Sequence, residues 1–491
     1  MKLAKSFLVG CVGGLVALSG AQAAPPVEYV KVCSLYGAGY YYIPGTDVCM
    51  KVGSYVRWQS EIQSNNNGLA FGSSNGSIVG GRFTRESDQL IYNGRAVISA
   101  DTRQQTEYGT LRTYVRIGGE VATGESTSSI YMDRAYIQFA GFTAGLTQSY
   151  FDIFSYTDRF GYIDSKTSGD TYKLGAMVFA YTAMLGNGVS FTISAESAGQ
   201  HYPAGVGDGT TAVFAVNGVT NLDTAAFGIP DIVANLRVDQ AWGFIGVSGA
   251  VHRVAGAYYT TPGDEFDGYP ADKYGWAAAA GGLIRLPWGD AIGVNFAWTK
   301  GAIGYATKAG NWQMYGSDGT VGVGWVTDGI FDGNPVNNTN TEIYLTNAWS
   351  VNAAFEHIWN PRWRTSLYGG YTKVWYDDEA TTLINSHLPG AAGTRPCGVP
   401  VAGSVWPPVS FPAGTDNSCT PDFSFYQVGS RTQFTPVPGL DIGLDVFYTH
   451  LNTAYKGVGV YPQTGTRLAA TALDDQGAWS AILRVQRNIL P

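Results

Sequence analysis

The sequence predicts an all-β fold: a transmembrane antiparallel β-barrel of about sixteen strands, with short periplasmic turns and long external loops. Three observations predict it, namely the composition, a period-two alternation, and the rhythm of the connections. Of the 491 residues, 14% are charged, 65 are Gly and 13% are aromatic. Soluble domains average about 25% charged residues and about 7% Gly. Gly is costly inside helices, Tyr and Trp suit pleated half-buried surfaces, and the helix formers Glu, Lys and Met are scarce.

The alternation runs in segments of about ten residues. From Thr110 to Glu120, Leu111, Thr113, Val115 and Ile117 fall on one face, and Arg112, Tyr114, Arg116 and Glu120 fall on the other. Leu440, Ile442, Leu444, Val446 and Tyr448 alternate with Asp441, Gly443, Asp445 and Thr449, as do Ile292, Val294, Phe296 and Trp298 with Gly293, Asn295 and Thr299. Such strands show lipid one face and water the other. Sixteen segments read this way, at 50–62, 89–104, 109–122, 130–140, 142–150, 173–184, 188–197, 231–239, 243–254, 273–286, 291–303, 341–357, 362–376, 424–435, 439–453 and 476–487. Short connections such as Gln105 to Tyr108, Leu185 to Asn187 and Pro436 to Pro438 alternate with long ones near 63–88, 151–172, 198–230, 255–272, 304–340, 377–423 and 454–475. A membrane barrel has this asymmetry, and an even strand number returns both ends to one side. Closure leaves no unpaired edge in hydrocarbon. Trp58, Trp242, Trp288, Trp359, Trp363 and Trp479 are placed for interfacial girdles.

Residues 1–23 read as a secretory signal peptide: Lys2 and Lys5, an apolar run from Ser6 to Gly20, then Ala21-Gln22-Ala23. The expected mature domain is 24–491, with an N-terminal segment at 24–49. Without Lys2 and Lys5 it carries 28 basic and 38 acidic residues, a formal charge of −10 that argues against nucleic acid, which requires a basic face. No run of about 18 apolar residues follows the signal, so no transmembrane helix is expected. Mean hydropathy is −0.04, as expected of a barrel with one oily and one wet face.

Export also frames the cysteines. Cys11 lies in the signal, and the other four are Cys33, Cys49, Cys397 and Cys419. Four cysteines allow three connectivities, and proximity favours the two local loops. None forms CxxC and no histidine lies nearby, so neither a metal nor a cofactor is expected.

Three blocks carry a resemblance. Val27-Glu28-Tyr29-Val30-Lys31-Val32-Cys33, Tyr36-Gly37-Ala38-Gly39-Tyr40, and Ile43-Pro44-Gly45-Thr46-Asp47 with Cys49 form the first. Gly53 to Arg57 with Asp133-Arg134-Ala135-Tyr136-Ile137-Gln138-Phe139-Ala140-Gly141-Phe142 form the second, and Trp479 to Asn488 the third. Together they resemble the alphaproteobacterial general porin family. The resemblance implies a sixteen-stranded trimeric channel in the outer membrane for passive diffusion of small hydrophilic solutes and ions. Its third external loop would fold into the barrel and narrow it. Its surroundings would be outer-membrane lipid and lipopolysaccharide. The chain departs from many outer-membrane barrels in finishing Asn488-Ile489-Leu490-Pro491 instead of in an aromatic residue.

A pore needs no catalytic group; it needs a constriction whose width and charge select solutes. The third long loop carries Asp152, Asp158, Asp164 and Asp170 with Phe151, Phe154, Tyr156 and Phe160. Facing it would stand Arg57, Arg95, Arg112, Arg116 and Arg134 from the wet faces of early strands. Arginines opposite an acidic loop make a transverse field. The plain alternative is that these are paired wet-face charges lining a wide lumen. Arg103 is expected near the periplasmic rim. Channels are expected to open in threes with mild cation preference.

Three other functions compete. An outer-membrane hydrolase needs a nucleophile beside a base, yet neither HExxH nor GxSxG occurs and the five histidines are scattered. A substrate-specific sugar or ion channel would use a lumen aromatic slide, for which Tyr55, Tyr114, Tyr136 and Tyr368 are candidates. A secreted soluble β-sandwich is the third.

Overall fold

The computed structural model describes residues 31–63, 78–79, 90–123, 128–172, 175–201, 205–209, 223–259, 265–315, 320–333, 341–387, 419–457, 459–460 and 471–490. The signal peptide reading at 1–23, Cys397 and Pro491 lie outside them. Sixteen long strands form the body: β1 Cys49–Gln63, β2 Leu90–Thr106, β3 Gly109–Ala122, β4 Ser129–Phe139, β5 Phe142–Thr147, β6 Ala176–Gly186, β7 Val189–Glu196, β8 Asp231–Gln240, β9 Gly243–Val254, β10 Lys273–Arg285, β11 Ala291–Lys300, β12 Asn347–Asn360, β13 Trp363–Trp375, β14 Phe423–Val437, β15 Leu440–Asn452 and β16 Gln476–Leu490. Each pairs antiparallel with its sequence neighbours, and β16 pairs antiparallel with β1 from Ser54–Leu490 to Gln63–Ser480. The sheet is therefore a closed sixteen-stranded barrel, as the alternation predicted.

Turn chemistry fixes the short-turn end. The β6–β7 hairpin turns on Asn187 and Gly188, both at positive φ (50° and 77°), the geometry whose twist matches antiparallel strands. A side chain at Gly188 would meet the Asp239 carbonyl oxygen at 2.0 Å, so glycine is required there. β4–β5 turns likewise on Ala140 and Gly141.

The faces are inverted relative to a soluble protein. Val56, Ile98, Ile117, Phe179, Ile193, Leu236, Val247, Ile292, Val294, Phe296, Leu367, Val428, Leu444, Val446 and Leu483 are exposed, while Gln59, Glu61, Asn93, Asp101, Thr192, Asn235, Asn295, Asn352, Gln427, Asp445 and Arg484 are buried. An apolar exterior of this extent exceeds what soluble monomers expose and suits hydrocarbon. Exposed Trp242, Trp288, Trp359 and Trp363 gather at the short-turn end. Phe296, Trp298, Trp349, Tyr371 and Trp375 interlock at the other end of β11–β13, with ring centroids 5.1–6.5 Å apart. Aromatic residues thereby flank the apolar surface at both ends over β8–β13.

The interior is filled by loops, which the strand pattern did not foretell. Residues 148–172, between β5 and β6, form an inner loop that crosses to the opposite wall. There Lys166 N and Tyr156 Oη donate to Gln427 Oε1 at 2.8 and 3.2 Å, Thr167 Oγ1 donates to Asn352 Oδ1 at 2.6 Å, and Tyr162 N donates to Asp445 Oδ2 at 2.5 Å. Phe154, Tyr156, Phe160, Tyr162 and Ile163 pack against Leu283, Ala354, Tyr368, Phe447 and Ile482 of that wall. Each buried aromatic contributes on the order of 2 kcal/mol. The loop between β11 and β12 makes a second body. Its Ile303, Trp312, Met314, Val321, Val323 and Val326 join Ile384 of helix α1 (Asp378–His387) with Phe423, Phe425, Leu451 and Tyr455 in the largest apolar cluster. At the short-turn end Tyr41–Tyr42 pairs with Cys49 and Met50, and the Cys33–Cys49 disulfide closes that segment onto β1. Of the second expected pair, Cys419 is described and Cys397 is not.

Candidate constriction site

β1–β4 alternate, with a bulge on β4 that turns both Asp133 and Arg134 inward, and their inward positions stack arginine opposite arginine. Arg57 faces Arg95 across β1–β2, Arg103 faces Arg112 across β2–β3, and Arg116 faces Arg134 across β3–β4. Like charges directly opposite destabilise a sheet unless countercharges stand beside them. Here they do. Arg95 donates to Glu120, Arg112 and Arg103 converge on Asp101 at 2.8 and 3.1 Å, and Arg116 lies 3.4 Å from Asp133. Tyrosines interleave them: Arg57 lies over Tyr55, Arg95 over Tyr131, and Arg112 over Tyr114 and Tyr136, 5.0–5.6 Å from the ring centroids. Arg103 reaches Tyr36 and Tyr40 of the disulfide-closed segment, which places it at the short-turn rim as expected. The inner loop meets this wall at Arg57 and Arg134, which are buried, while Arg95, Arg112, Arg116 and Glu120 keep partial solvent access.

All five expected arginines thus point inward on one wall. The four aspartates of the inner loop do not form the expected acidic face, and the structure corrects that reading. Of the four, Asp158 makes the ion pair to the basic wall, 3.8 Å from Arg57, and it lies 2.8 Å from Arg484 of β16. Asp152 instead closes the base of the loop, accepting from Thr171 N at 2.7 Å and Thr171 Oγ1 at 2.6 Å. Burial, with Asp170 nearby, pushes its carboxyl up to about 7. Asp164 and Asp170 both accept from Lys308 Nζ, at 3.0 and 2.9 Å, which latches the inner loop to the β11–β12 loop. The physical reason is desolvation: a carboxylate packed among rings must find a cation or donors, and the nearest lie on loops and not across the lumen. Tyr368 is corrected too, because it is buried under the inner loop and donates to Asp445 Oδ1 at 2.6 Å, away from any aromatic slide.

Arg134 acts on the loop's other end, donating to the Tyr172 carbonyl oxygen at 2.6 Å. The sequence reading missed Arg484, which also donates to Gln59 Oε1 at 2.8 Å and lies 4.0 Å from the Tyr162 ring centroid. It likewise missed Arg431, which donates to Glu356 Oε2 at 2.7 Å. Both were within reach of the alternation rule, since Arg484 lies between the outward Leu483 and Val485. Lys308, in a long aperiodic loop, carried no such signal.

Three of the described histidines are held by hydrogen bonds. His252 Nδ1 pairs with Asp231 at 2.8 Å, His357 Nδ1 pairs with Asp290 at 2.9 Å, and His450 pairs with Tyr448 Oη at 3.2 Å. None of these rings is bonded to a serine or cysteine. Among the described residues no group of three or more His, Cys, Asp or Glu is placed to hold a metal ion.

Comparison with known proteins adds kinship. Residues 21–482 match the model of the porin subfamily. Porin Omp2b of Brucella melitensis is 32% identical over 264 residues, which is 49% of this chain and 64% of that protein, and Omp2b of Brucella suis aligns to the same extent. The match therefore spans under two thirds of those relatives' length. Among solved structures, the outer membrane channel DcaP of Acinetobacter baumannii superposes with a TM-score of 0.56 at 16% identity, covering 91% of this chain and 99% of that one.

Proposed function

The chain belongs to the porin subfamily, and from that membership we propose that it is an outer-membrane channel for passive diffusion of small hydrophilic solutes and ions, assembled as a homotrimer in lipid and lipopolysaccharide. The single observation carrying this reading is the inverted barrel: an apolar exterior around an interior wall of arginines, of which Arg95, Arg112 and Arg116 keep solvent access. A soluble sandwich has no use for such an exterior. The constriction would lie between the β1–β4 wall and the tip of the inner loop at Asp158. Since Arg57, Arg95, Arg103, Arg112, Arg116 and Arg134 outnumber Asp101, Glu120, Asp133 and Asp158, the carboxylates paired with them, the throat carries net positive charge. Anion preference therefore replaces the expected mild cation preference.

A hydrolase finds little support, because the His252–Asp231 and His357–Asp290 pairs point to no nucleophile. The test is a planar-bilayer record of the purified mature chain. Stepwise conductance in threes, with chloride favoured over potassium, is expected. Replacing Arg95, Arg112 and Arg116 together by Gln should move the reversal potential toward potassium. An unchanged reversal potential would remove these residues from the throat, and a protein that opens no channels would end the channel reading.

A further inference from the structure

We propose that Arg159 and Arg285 form a binding subsite for small doubly charged oxyanions on the short-turn side of the inner loop. The proposal rests on the channel reading above, and the site lies apart from the β1–β4 wall.

Arg159 sits in the tip of the inner loop, a turn closed by a bridge between Thr157 and Gly161. The residue before it, Asp158, has φ 56°, a left-handed conformation rare outside glycine. Such backbone persists only where its surroundings hold it. Here Arg484 and Arg57 hold the Asp158 carboxylate at 2.8 and 3.8 Å. The residue after it, Phe160, is buried against the opposite wall in the cluster containing Leu283 and Ala354. With both neighbours fixed, the Arg159 side chain is turned out into accessible space, and it is exposed.

Strand register places Arg285 close by. Leu283 of β10 belongs to the ring cluster that seats Phe160, and Arg285 is the next inward position toward the short turn, about 7 Å further along the strand. It too is exposed. Across the wall the same rung runs through Ala291, Glu356, Ser366, Arg431 and Asp445. Its carboxylates are engaged. Glu356 Oε2 accepts from Arg431 at 2.7 Å and Ser366 at 3.1 Å, and Asp445 accepts from Tyr368 at 2.6 Å and Tyr162 N at 2.5 Å. Asp290, at the adjacent turn, is taken by His357, Trp288 and the Ile358 amide. Among the described residues neither Arg159 nor Arg285 has a side-chain hydrogen bond or an ion pair.

Two guanidinia of like charge, neither in an ion pair, therefore share one part of the lumen, where Glu356, already held by Arg431, is the countercharge acting on Arg159. Desolvation by the packed rings, and then the charge of Arg285, draw Arg159 below its ordinary value. A dianion relieves that repulsion. The planar N–H forks of two guanidinia match the oxygens of sulfate, phosphate or paired carboxylates, and two forks favour a divalent anion over chloride.

The experiment uses the full mature chain in a planar bilayer in potassium chloride, with sodium sulfate added to the short-turn side. Saturable reduction of the chloride current is expected. R159Q and R285Q should each raise the half-blocking sulfate concentration at least tenfold, while still opening stepwise channels in chloride. Neither side chain is in an ion pair, so folding is expected to survive, and unheated gel mobility checks it. Lack of block in the unsubstituted protein, or block in either folded variant within twofold of the parent, overturns the subsite while leaving the channel standing. Absence of any conductance steps in the parent overturns the channel and, with its water path gone, the subsite as well.

Discussion

Replacing Lys308 by Met breaks the latch between the two loops that fill the barrel. The ammonium donates to Asp164 at 3.0 Å and to Asp170 at 2.9 Å; its side chain is 17% exposed and that of Asp170 is 3% exposed. Around it Thr307 Oγ1 donates to the Lys166 carbonyl at 2.5 Å, and Lys308 N donates to the Ser168 carbonyl at 2.9 Å, so the two loops meet along several residues. Removing one partner of a buried ion pair costs about 3–5 kcal/mol, because the survivors stay buried without compensation. Partial water access at this site lowers that to about 2–4 kcal/mol. At about 1.4 kcal/mol per tenfold, the ratio of undocked to docked inner loop rises on the order of 100-fold. Burial disfavours the Lys308 charge, yet Asp164 and Asp170 outweigh it and hold the group above its ordinary value. A base raised in the folded state contributes fully below its unfolded value of about 10.4 and loses that contribution only as pH rises beyond it. The Lys308 contribution is therefore constant between about pH 5 and 9, while Asp152 beside Asp170, pushed up to about 7, titrates within that window. Single-channel recording reads the effect. K308M should show more frequent subconductance steps and greater open-channel noise than the parent at every pH in that window, and K308R should restore quiet. A folded K308M channel as quiet as the parent would refute the latch.

Two further perturbations probe the seats of the loops. His201 is buried and stacked on Tyr305 with centroids 4.0 Å apart, and burial pushes it down to about 4. A base depressed on folding contributes fully above its unfolded value of about 6.5 and loses that contribution as pH falls toward 4. Hydrogen exchange of residues 301–315 should therefore quicken between pH 6.5 and 4 beyond its intrinsic rate, and His201→Phe, which keeps the stack, should abolish that term. Equal pH dependence in the two proteins would remove His201 from the account. Asp328, which burial pushes up to about 6, works in the opposite sense: its contribution is complete below about 3.9 and is lost as pH rises through 6, so it survives the substitution and serves as an internal control. At Gly293 an added Cβ would lie 2.1 Å from the Phe154 ring. Gly293→Val should cost about 1–3 kcal/mol by overpacking. It should unseat the loop without opening the barrel, read as a lower thermal midpoint with unchanged strand content; an unchanged midpoint would show that the ring has room to move.

The sequence by itself determined the barrel. Each strand must alternate because one face meets hydrocarbon and the other water. That constraint is local, period two and repeated sixteen times, so Arg112 and Arg116 could be assigned an inward face from Leu111, Val115 and Ile117 alone. The same rule placed Arg57, Arg95 and Arg134, and with Arg484 and Arg431 it would have placed two more. The disulfide of Cys33 with Cys49 was legible because its ends lie 16 residues apart. Tertiary structure alone decided what fills the lumen and which charges remain free in it. Lys308 meets Asp164 across 144 residues, and Arg484 meets Asp158 across 326. Loops that fold inward carry no fixed period, because their burial is set by whichever wall they reach. The four aspartates at 152–170 therefore read alike in sequence. Packing separated them: one to the arginine wall, one to the loop's own base and two to a distant lysine, leaving Arg159 as the charge the loop tip presents.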